Sequence, residues 1–238
     1  NYRNLFDNAN EAIFVAQDGK LVFINPMTTR IIGYSNEDLL SRPFVEFIHA
    51  DDRGMVIDRH VRRIKGEELP HIYSFRIIRG DGDVIWVELN TVVVNWKGKP
   101  ATLNFLSDIT ESKQTAEALR ESERNLKEAQ RVGHLGSWDL NVVTGDLQWS
   151  DECYRIFGFR PQEFVPTYEK FRSIIHPEDL GFVQEQVDAA LNNDKNYDVD
   201  FRFVRPNGEI GWIHCDGEVM RDAEGKPLRF FGTQIDIT

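Results

Sequence analysis

Residues 75–86 read FRIIRGDGDVIW, and residues 201–212 read FRFVRPNGEIGW. Each stretch has Phe-Arg, a glycine six positions after that arginine and a tryptophan four positions after the glycine. Four more landmarks recur in the same order: Ile32-Gly33-Tyr34 with Phe157-Gly158-Phe159, residues 47–52 with 174–179, Gly98-Lys99-Pro100 with Gly225-Lys226-Pro227, and Asp108-Ile109-Thr110 with Asp236-Ile237-Thr238. Because solenoid repeats are only about 20–50 residues long, this much longer interval predicts one globular domain present twice.

Composition agrees with two soluble domains. The chain has 238 residues, of which 41% are hydrophobic and 28% charged. A net charge of −11 repels phosphate backbones and anionic lipids, so we expect no nucleic acid and no membrane contact by this region. Cys153 and Cys215 form no C-x-x-C pair, which argues against a disulfide framework or a zinc site and indicates a reducing, cytoplasmic location. The sequence begins at Asn1, so we expect a piece of a longer protein, whose other parts could include a membrane anchor.

Between the two copies, residues 111–132 read ESKQTAEALRESERNLKEAQRV, without glycine or proline. This composition predicts a helix, which divides the chain into a first domain at 1–110, a connector at 111–132 and a second domain at 133–238. Leu119 and Leu126 are seven positions apart and Ala129 follows, giving a thin apolar stripe. Two interpretations stay open: a solvated connector, or a short coiled coil that pairs two chains into a homodimer.

Each copy contains the signals of a hairpin, several short helices and three further strands. In the first copy, Asn25 precedes Pro26 as a helix N-cap, and a longer helix follows His49. In the second copy, Pro161 and Pro177 are predicted to open helices. The predicted fold class is therefore α+β: in each domain a five-stranded antiparallel sheet carries short helices on one face.

Alternation along the strands predicts which side chains face those helices. In residues 84–94 the charge of Glu88 places that face outside, so Val87, Leu89 and Thr91 point inward. In the second copy, Trp212 and His214 point outward, whereas Ile213 and Cys215 point inward. The neighbouring strands contribute further inward residues, namely Phe75, Ile77, Phe201 and Phe203.

Taken together, these landmarks resemble the PAS domain with its C-terminal PAC motif, over both copies and nearly the whole chain. The second copy is similar to the subfamily common in bacterial and archaeal sensor kinases. The resemblance implies a sensory or dimerisation module placed before an output domain, often a histidine kinase or a diguanylate cyclase. It also implies that the signal leaves each sheet through the Asp-Ile-Thr motif, at Asp108, Ile109 and Thr110 and at Asp236, Ile237 and Thr238.

The resemblance further implies a ligand site between the inward sheet face and the helices. The implied lining residues are Phe75, Ile77, Val87, Leu89, Thr91 and Asn104 in the first copy, and Phe201, Phe203, Ile213, Cys215 and Gln234 in the second. Asn104 is the informative residue, because an amide that faces an apolar cavity needs a ligand, a water or the backbone as partner. A small-molecule ligand and a core filled by side chains both stay open.

The sequence argues against known cofactors of such domains. Gln234 occupies the position of a glutamine that contacts the ring in flavin-binding members, but their reactive Asn-Cys-Arg motif has no counterpart here. His60 is the one haem-ligand candidate, and its Arg-rich surroundings at 58–63 look like a solvated helix face. His49 and His176 are explained as helix caps, and His214 and Cys215 point to opposite faces, which excludes a catalytic dyad. We therefore expect no metal and no cofactor.

No phosphate-binding, dinucleotide-binding or hydrolase motif is present, so the region is predicted to be non-catalytic. The predicted function is sensing and signal relay within a multidomain signalling protein. The alternatives are a purely structural dimerisation module without a ligand, and a haem-based gas or redox sensor.

Overall fold

The computed structural model describes residue 6, residues 9–193 and residues 195–238. The chain forms two compact units, Asn1–Leu119 and Arg120–Thr238. The boundary between them falls inside a long helix, so the predicted connector at 111–132 is shared by the two units. That helix runs from Thr110 to Gly133, one residue beyond the predicted segment at each end.

The first unit contains one five-stranded sheet with the strand order β2-β1-β5-β4-β3, and all neighbouring strands are antiparallel. Three α-helices and a 3-10 turn at Phe44–Phe47 lie between β2 and β3 in sequence. The elements are β1 (Ala12–Gln17), β2 (Lys20–Ile24), α1 (Pro26–Ile32), α2 (Asn36–Ser41), α3 (Ala50–Ile64), β3 (Ile72–Ile78), β4 (Val84–Trp96) and β5 (Lys99–Asp108).

The second unit repeats this plan, with the strand order β7-β6-β10-β9-β8. Its elements, after the shared helix α4 (Thr110–Gly133), are β6 (Leu135–Asn141), β7 (Leu147–Trp149), α5 (Asp151–Ile156), α6 (Tyr168–Ile174), α7 (Leu180–Asn193), β8 (Tyr197–Val204), β9 (Ile210–Arg221) and β10 (Pro227–Asp236). Two antiparallel five-stranded sheets with the same strand order confirm the predicted α+β fold.

Side-chain caps begin several helices where the sequence predicts them. The Asn25 side chain accepts hydrogen bonds from the backbone N–H of Thr28 at 3.0 Å and of Ile13 at 2.9 Å, so it starts α1 and holds it to β1. The prediction fails at Pro161 and Pro177, which lie in turns. Helix α6 begins at Tyr168 instead, capped by Thr167. The fixed φ of proline suits a turn as well as a first helical turn, so proline alone does not separate the two.

The predicted alternation of buried and exposed residues is confirmed on β4 and on its equivalent β9. Val87, Leu89 and Thr91 are buried on the inner face of the first sheet, which we define as the face towards the helices. Ile213 and Cys215 are buried on the inner face of the second sheet, whereas Trp212 remains 45% exposed on the outer face.

An arginine-carboxylate bridge ties the long helix of each domain to its sheet. In the first domain, Asp52 accepts three hydrogen bonds from Arg76: from its backbone N–H at 2.8 Å, from Nε at 2.9 Å and from Nη2 at 2.8 Å. Arg202 and Asp179 make the same three bonds in the second domain. The hydrogen bonds from these arginines hold the pKa values of Asp52 and Asp179 below the usual range, so both carboxylates stay ionised near neutral pH.

The outer face of the second sheet carries an acidic cluster around one histidine. In the strand register Asp200 lies opposite His214, and Asp198 lies opposite Asp216. The His214 ring approaches Asp200 through Nδ1 at 2.7 Å and Asp216 through Nε2 at 2.9 Å. The bond to Asp200, followed by the bond to Asp216, raises the pKa of His214 above its ordinary value. This geometry favours a charged imidazolium held between carboxylates.

Replacing either of two glycines of the first domain with alanine should change the stability of the domain, in opposite directions. Gly54 lies inside α3 with open space around its Cβ position, so Gly54→Ala should stabilise the domain by about 0.5–1 kcal/mol. At Gly80 a Cβ would lie 2.1 Å from the Gly33 carbonyl oxygen, so Gly80→Ala should destabilise it by about 1–3 kcal/mol. Urea unfolding of the whole chain measures both, and equal effects of the two substitutions would contradict the described packing.

Replacing Asp200 with asparagine should lower the pKa of His214, because it removes the partner that raises this pKa most. Asp198→Asn is the matched control, since its carboxylate is 3.9 Å from the ring and should have a smaller effect. NMR titration of the ring measures both. Because the folded-state pKa is raised, the stabilisation from this cluster is fully present below about pH 6.5 and is lost as the pH rises through the folded-state pKa. An unchanged pKa in Asp200→Asn would refute the assignment.

Candidate functional site

A cavity of about 60 Å³ lies between the inner face of the first sheet and its helices. The walls come from β1 to β5, from α1 and α3, and from the 3-10 turn with the residue that follows it. The lining residues are Phe14, Ala16, Leu21, Ile32, Phe44, Phe47, Ile48, Val56, His60, Arg63, Tyr73, Phe75, Ile77, Leu89, Thr91, Thr102, Asn104 and Leu106. This is an apolar chamber with a small number of polar groups, the usual composition of a small-molecule site.

Most of the predicted site residues of the first domain line this cavity, namely Phe75, Ile77, Leu89, Thr91 and Asn104. Val87 is fully buried but contributes to the core beside the cavity and not to its lining. The amide nitrogen of Asn104 donates to the Thr102 carbonyl oxygen at 2.9 Å and to its hydroxyl at 3.1 Å. The donor side of this amide is therefore satisfied within the protein.

The predicted solvated face at residues 58–63 is wrong for two of its residues. Arg62 is exposed, as expected, but His60 lines the cavity and packs edge-on against Phe44, with ring centroids 5.2 Å apart. Burial, and then the charge of Arg63, lower the pKa of His60, so its ring is neutral at pH 7. Arg63 is only 4% exposed and also lines the cavity. Sequence reasoning missed Arg63 as a site residue.

The second domain has a smaller cavity of about 40 Å³ in the equivalent place. Its walls are mainly aromatic, and its lining residues are Trp138, Leu140, Leu147, Trp149, Tyr168, Phe171, Val187, Tyr197, Cys215, Phe230 and Gln234. Of the predicted site residues, Cys215 and Gln234 line it. Phe201, Phe203 and Ile213 are buried in the core outside the cavity lining.

Gln234 is the amide side chain among the residues that line this second cavity. It is 3% exposed, and its Nε2 has no hydrogen-bond partner among the described residues. Its Oε1 lies 3.9 Å from the Cys215 sulfur, a weak contact. An unpaired buried donor costs about 1–3 kcal/mol, so Gln234 is suited to an acceptor atom supplied by a ligand or a water.

Neither cavity fits the cofactors that the resemblance raises. For scale, an apolar cavity of about 150 Å³ admits benzene. The chambers of about 60 and 40 Å³ are therefore too small for a haem or a flavin ring with these side chains in place. Cys153 lies in α5, where burial raises the pKa of its thiol to about 12. Burial also raises the pKa of the Cys215 thiol, so neither cysteine provides a thiolate near neutral pH.

The histidines outside the cavities have structural explanations. His49 caps α3 as predicted, its Nδ1 accepting a hydrogen bond from the backbone N–H of Asp51. The prediction is wrong for His176, whose Nδ1 accepts from the N–H of Glu178 in the turn before α7, a helix that begins only at Leu180. Asp198, His214 and Asp216 are the group whose spacing could hold a metal ion. Both ring nitrogens of His214 already face carboxylates, which fits an imidazolium better than a neutral metal ligand. Sequence reasoning missed this cluster, although the facing pattern Asp-x-Asp and His-x-Asp could have revealed it.

The Asp-Ile-Thr motif forms the same junction at the end of each sheet. The Thr110 hydroxyl accepts a hydrogen bond from the backbone N–H of Trp86 at 3.0 Å, and the N–H of Ile109 donates to the Trp86 carbonyl at 2.9 Å. Asp108 accepts from the Thr110 N–H at 2.9 Å. Trp212, Asp236, Ile237 and Thr238 repeat these contacts in the second domain. The segment that follows the last strand is thereby fixed to the neighbouring strand, β4 or β9.

Within the part of the chain that the structure describes, no helix is both long enough and apolar enough to cross a membrane.

Comparison with known proteins gives relatives over nearly the whole chain. "Probable diguanylate cyclase DgcE" of Escherichia coli (strain K12) is 22% identical over 242 residues, which are 100% of this chain and 22% of that protein. "Blue-light-activated histidine kinase" of Brucella canis is 26% identical over 241 residues, which are 93% of this chain and 47% of that protein. The chain thus spans less than half the length of either curated relative.

Among solved structures, a sensory box histidine kinase/response regulator from Burkholderia thailandensis E264 is 28% identical, with a TM-score of 0.42 over 48% of this chain and 84% of that chain. The family described as PAS fold matches residues 21–104 and 146–234, which include most of both five-stranded sheets and both cavities. The chain therefore belongs to the PAS fold family and contains that fold twice.

Proposed function

We propose that this chain is the sensory and signal-relay region of a longer signal-transduction protein. The observation that carries the proposal is the junction at Trp86 and Thr110, which connects a cavity-bearing sheet directly to the start of α4. The names of the relatives, a diguanylate cyclase and a histidine kinase, support an output domain of one of these two kinds. The region itself is proposed to be non-catalytic, with any enzyme activity located in other parts of the parent protein.

Ligand binding is the first part of the proposal. Each cavity is largely apolar and holds few polar groups, which is what a selective small-molecule site requires. The unpaired Nε2 of Gln234 supports a ligand with an acceptor atom in the second domain. The blue-light activation in the name of the Brucella relative is not carried over, because the Asn-Cys-Arg motif has no counterpart in this sequence.

Signal relay is the second part. A ligand that shifts β4 would move Trp86, and with it Thr110, the first residue of α4. Lys113, one turn into α4, has its ammonium 5.0 Å from the centre of the Trp86 ring and adds a second contact between strand and helix. Because a helix transmits rotation along its length, this junction gives the sheet a means of acting on whatever α4 contacts.

Homodimerisation is the third part. Every side chain of α4 is at least partly exposed, and Leu119 and Leu126 on its apolar stripe are each 60% exposed. Pairing two copies along this stripe would remove these side chains from water. A dimer that acts without any ligand is the second candidate function, and the same stripe favours it. The two free buried cysteines support a cytoplasmic location.

Native mass spectrometry and thermal shift of the purified chain test ligand binding and dimerisation together. We expect the mass of a dimer, and at least one compound of a metabolite panel that raises the melting temperature. A ligand at 100 times its Kd stabilises the folded state by about 2.7 kcal/mol. For a ligand of the second cavity, Gln234→Leu should abolish the shift and stabilise the ligand-free protein, because it removes an unpaired buried donor.

If no compound shifts the melting temperature while the dimer is present, the interaction module without a ligand is the correct function. A monomer with a bound ligand would refute dimerisation through α4 and leave the ligand-binding part of the proposal in place.

Insertions into α4 of the full-length parent test the relay. One residue inserted after Gln114 turns the rest of the helix by about 100°, so output activity should change strongly. A four-residue insertion turns it by about 400°, close to the original orientation, and should restore most of the output. One residue inserted in the turn at Lys97 and Gly98 is the control, because it lengthens a loop without turning α4. Equal output across insertions of one to four residues would disprove the relay.

A further inference from the structure

Arg63 is buried, lines the first cavity and has no counter-ion among the described residues. Its side chain, near the end of α3, donates to the carbonyl oxygens of Pro70 at 2.6 Å and Leu69 at 3.3 Å, and Nη1 lies 3.4 Å from Nδ1 of His71. No described carboxylate pairs with it, and no described Asp or Glu lines the cavity. A buried charge is costly unless an opposite charge compensates it.

A second arginine on the same face of α3 strengthens the positive character of this wall. Arg59, one turn before Arg63, lies with its guanidinium carbon 4.6 Å from the ring centre of Tyr73, which also lines the cavity. Its Nη1 is buried and has no hydrogen-bond partner among the described residues. Burial raises the pKa of Tyr73, and the charges of Arg63 and Arg59 oppose that rise, so both cations act at this end of the cavity.

The second domain shows that the fold does not need a buried arginine here. The interval between His49 and His176 aligns Val187 with His60 and Ala190 with Arg63. Val187 lines the second cavity, where no lining residue is charged. The arginine near the end of α7 is Arg221 from β9, which donates to the helix carbonyl oxygens of Ala190 at 2.8 Å and Leu191 at 3.0 Å. It does not line the second cavity, so this domain places no charge at its cavity wall.

We propose that the first cavity binds a small carboxylic acid whose carboxylate pairs with Arg63 and whose apolar body packs against Phe75 and Leu89. A planar guanidinium matches a carboxylate through two parallel hydrogen bonds. Neutral His60 adds a hydrogen-bonding group without adding a second charge, which favours a monoanion over a phosphate. A cavity of about 60 Å³ is smaller than the ~150 Å³ that admits benzene, which points to an acid with fewer non-hydrogen atoms than benzene, of two or three carbons.

This inference rests on the proposed ligand-sensing function and deepens it. Sodium propanoate and propanamide, which differ in charge but hardly in shape, are titrated into the whole chain at constant ionic strength and followed by NMR. We expect propanoate to bind about tenfold or more tightly than propanamide. Arg63→Met should weaken propanoate binding by about the same factor and leave propanamide binding unchanged. Arg62→Met is the matched control: it removes the same charge from the neighbouring exposed position and should bind propanoate like the unmodified chain.

Equal affinity of the unmodified chain for the acid and the amide would overturn the inference, and this comparison does not depend on any variant folding. Undiminished propanoate binding by Arg63→Met would also overturn it. If propanoate does not bind but a neutral compound of the metabolite panel binds the first cavity, the carboxylate assignment is refuted and ligand sensing stands. If no compound binds either cavity, ligand sensing and this inference are both refuted.

Discussion

The bridge between one arginine and one aspartate in each domain is the constraint on which the cavities depend. Arg76 offers its backbone N–H and two guanidinium nitrogens to Asp52, and Arg202 does the same for Asp179. The bridge fixes the first turn of the long helix against the sheet. The later turns of that helix are therefore held at a fixed distance from the inner face of the sheet. The cavity is the space between the helix and this face. The hydrogen bonds from the arginine lower the pKa of each aspartate. The carboxylate therefore stays ionised at neutral pH, and the contact between helix and sheet is kept.

The sequence predicts which side chains are buried more reliably for strands than for helices, because the two elements repeat with different periods. A strand has only two faces, so the charge of Glu88 is sufficient to assign Val87, Leu89 and Thr91 to the interior. The short run around His60 could not be assigned in this way. In a helix each residue is rotated by about 100° from the one before it. Because this run has polar residues on every side of the helix, its sequence does not reveal which side is buried. Whether a buried residue such as Val87 also lines a cavity depends on neighbouring side chains that are distant in sequence, and no local pattern contains that information.

The two domains share one fold and differ in what their cavities contain. The first has a buried cation and a neutral imidazole, and the second has aromatic rings and one amide with an unpaired donor. The difference is concentrated at a few positions of one helix, where Val187 and Ala190 replace His60 and Arg63. The backbone framework is the same in both domains, since the bridge and the strand pairing are repeated in each. The chambers differ at side chains that take no part in the bridge.

The junction of Asp, Ile and Thr with the tryptophan of β4 or β9 is built from residues of one domain. Trp86 with Thr110, and Trp212 with Thr238, form it through the same hydrogen bonds. A whole unit copied in tandem therefore carries this joint with it and creates no new kind of joint. In an array of such units, the last strand of each copy meets the segment that follows it in the same way, whatever side chains line the chamber.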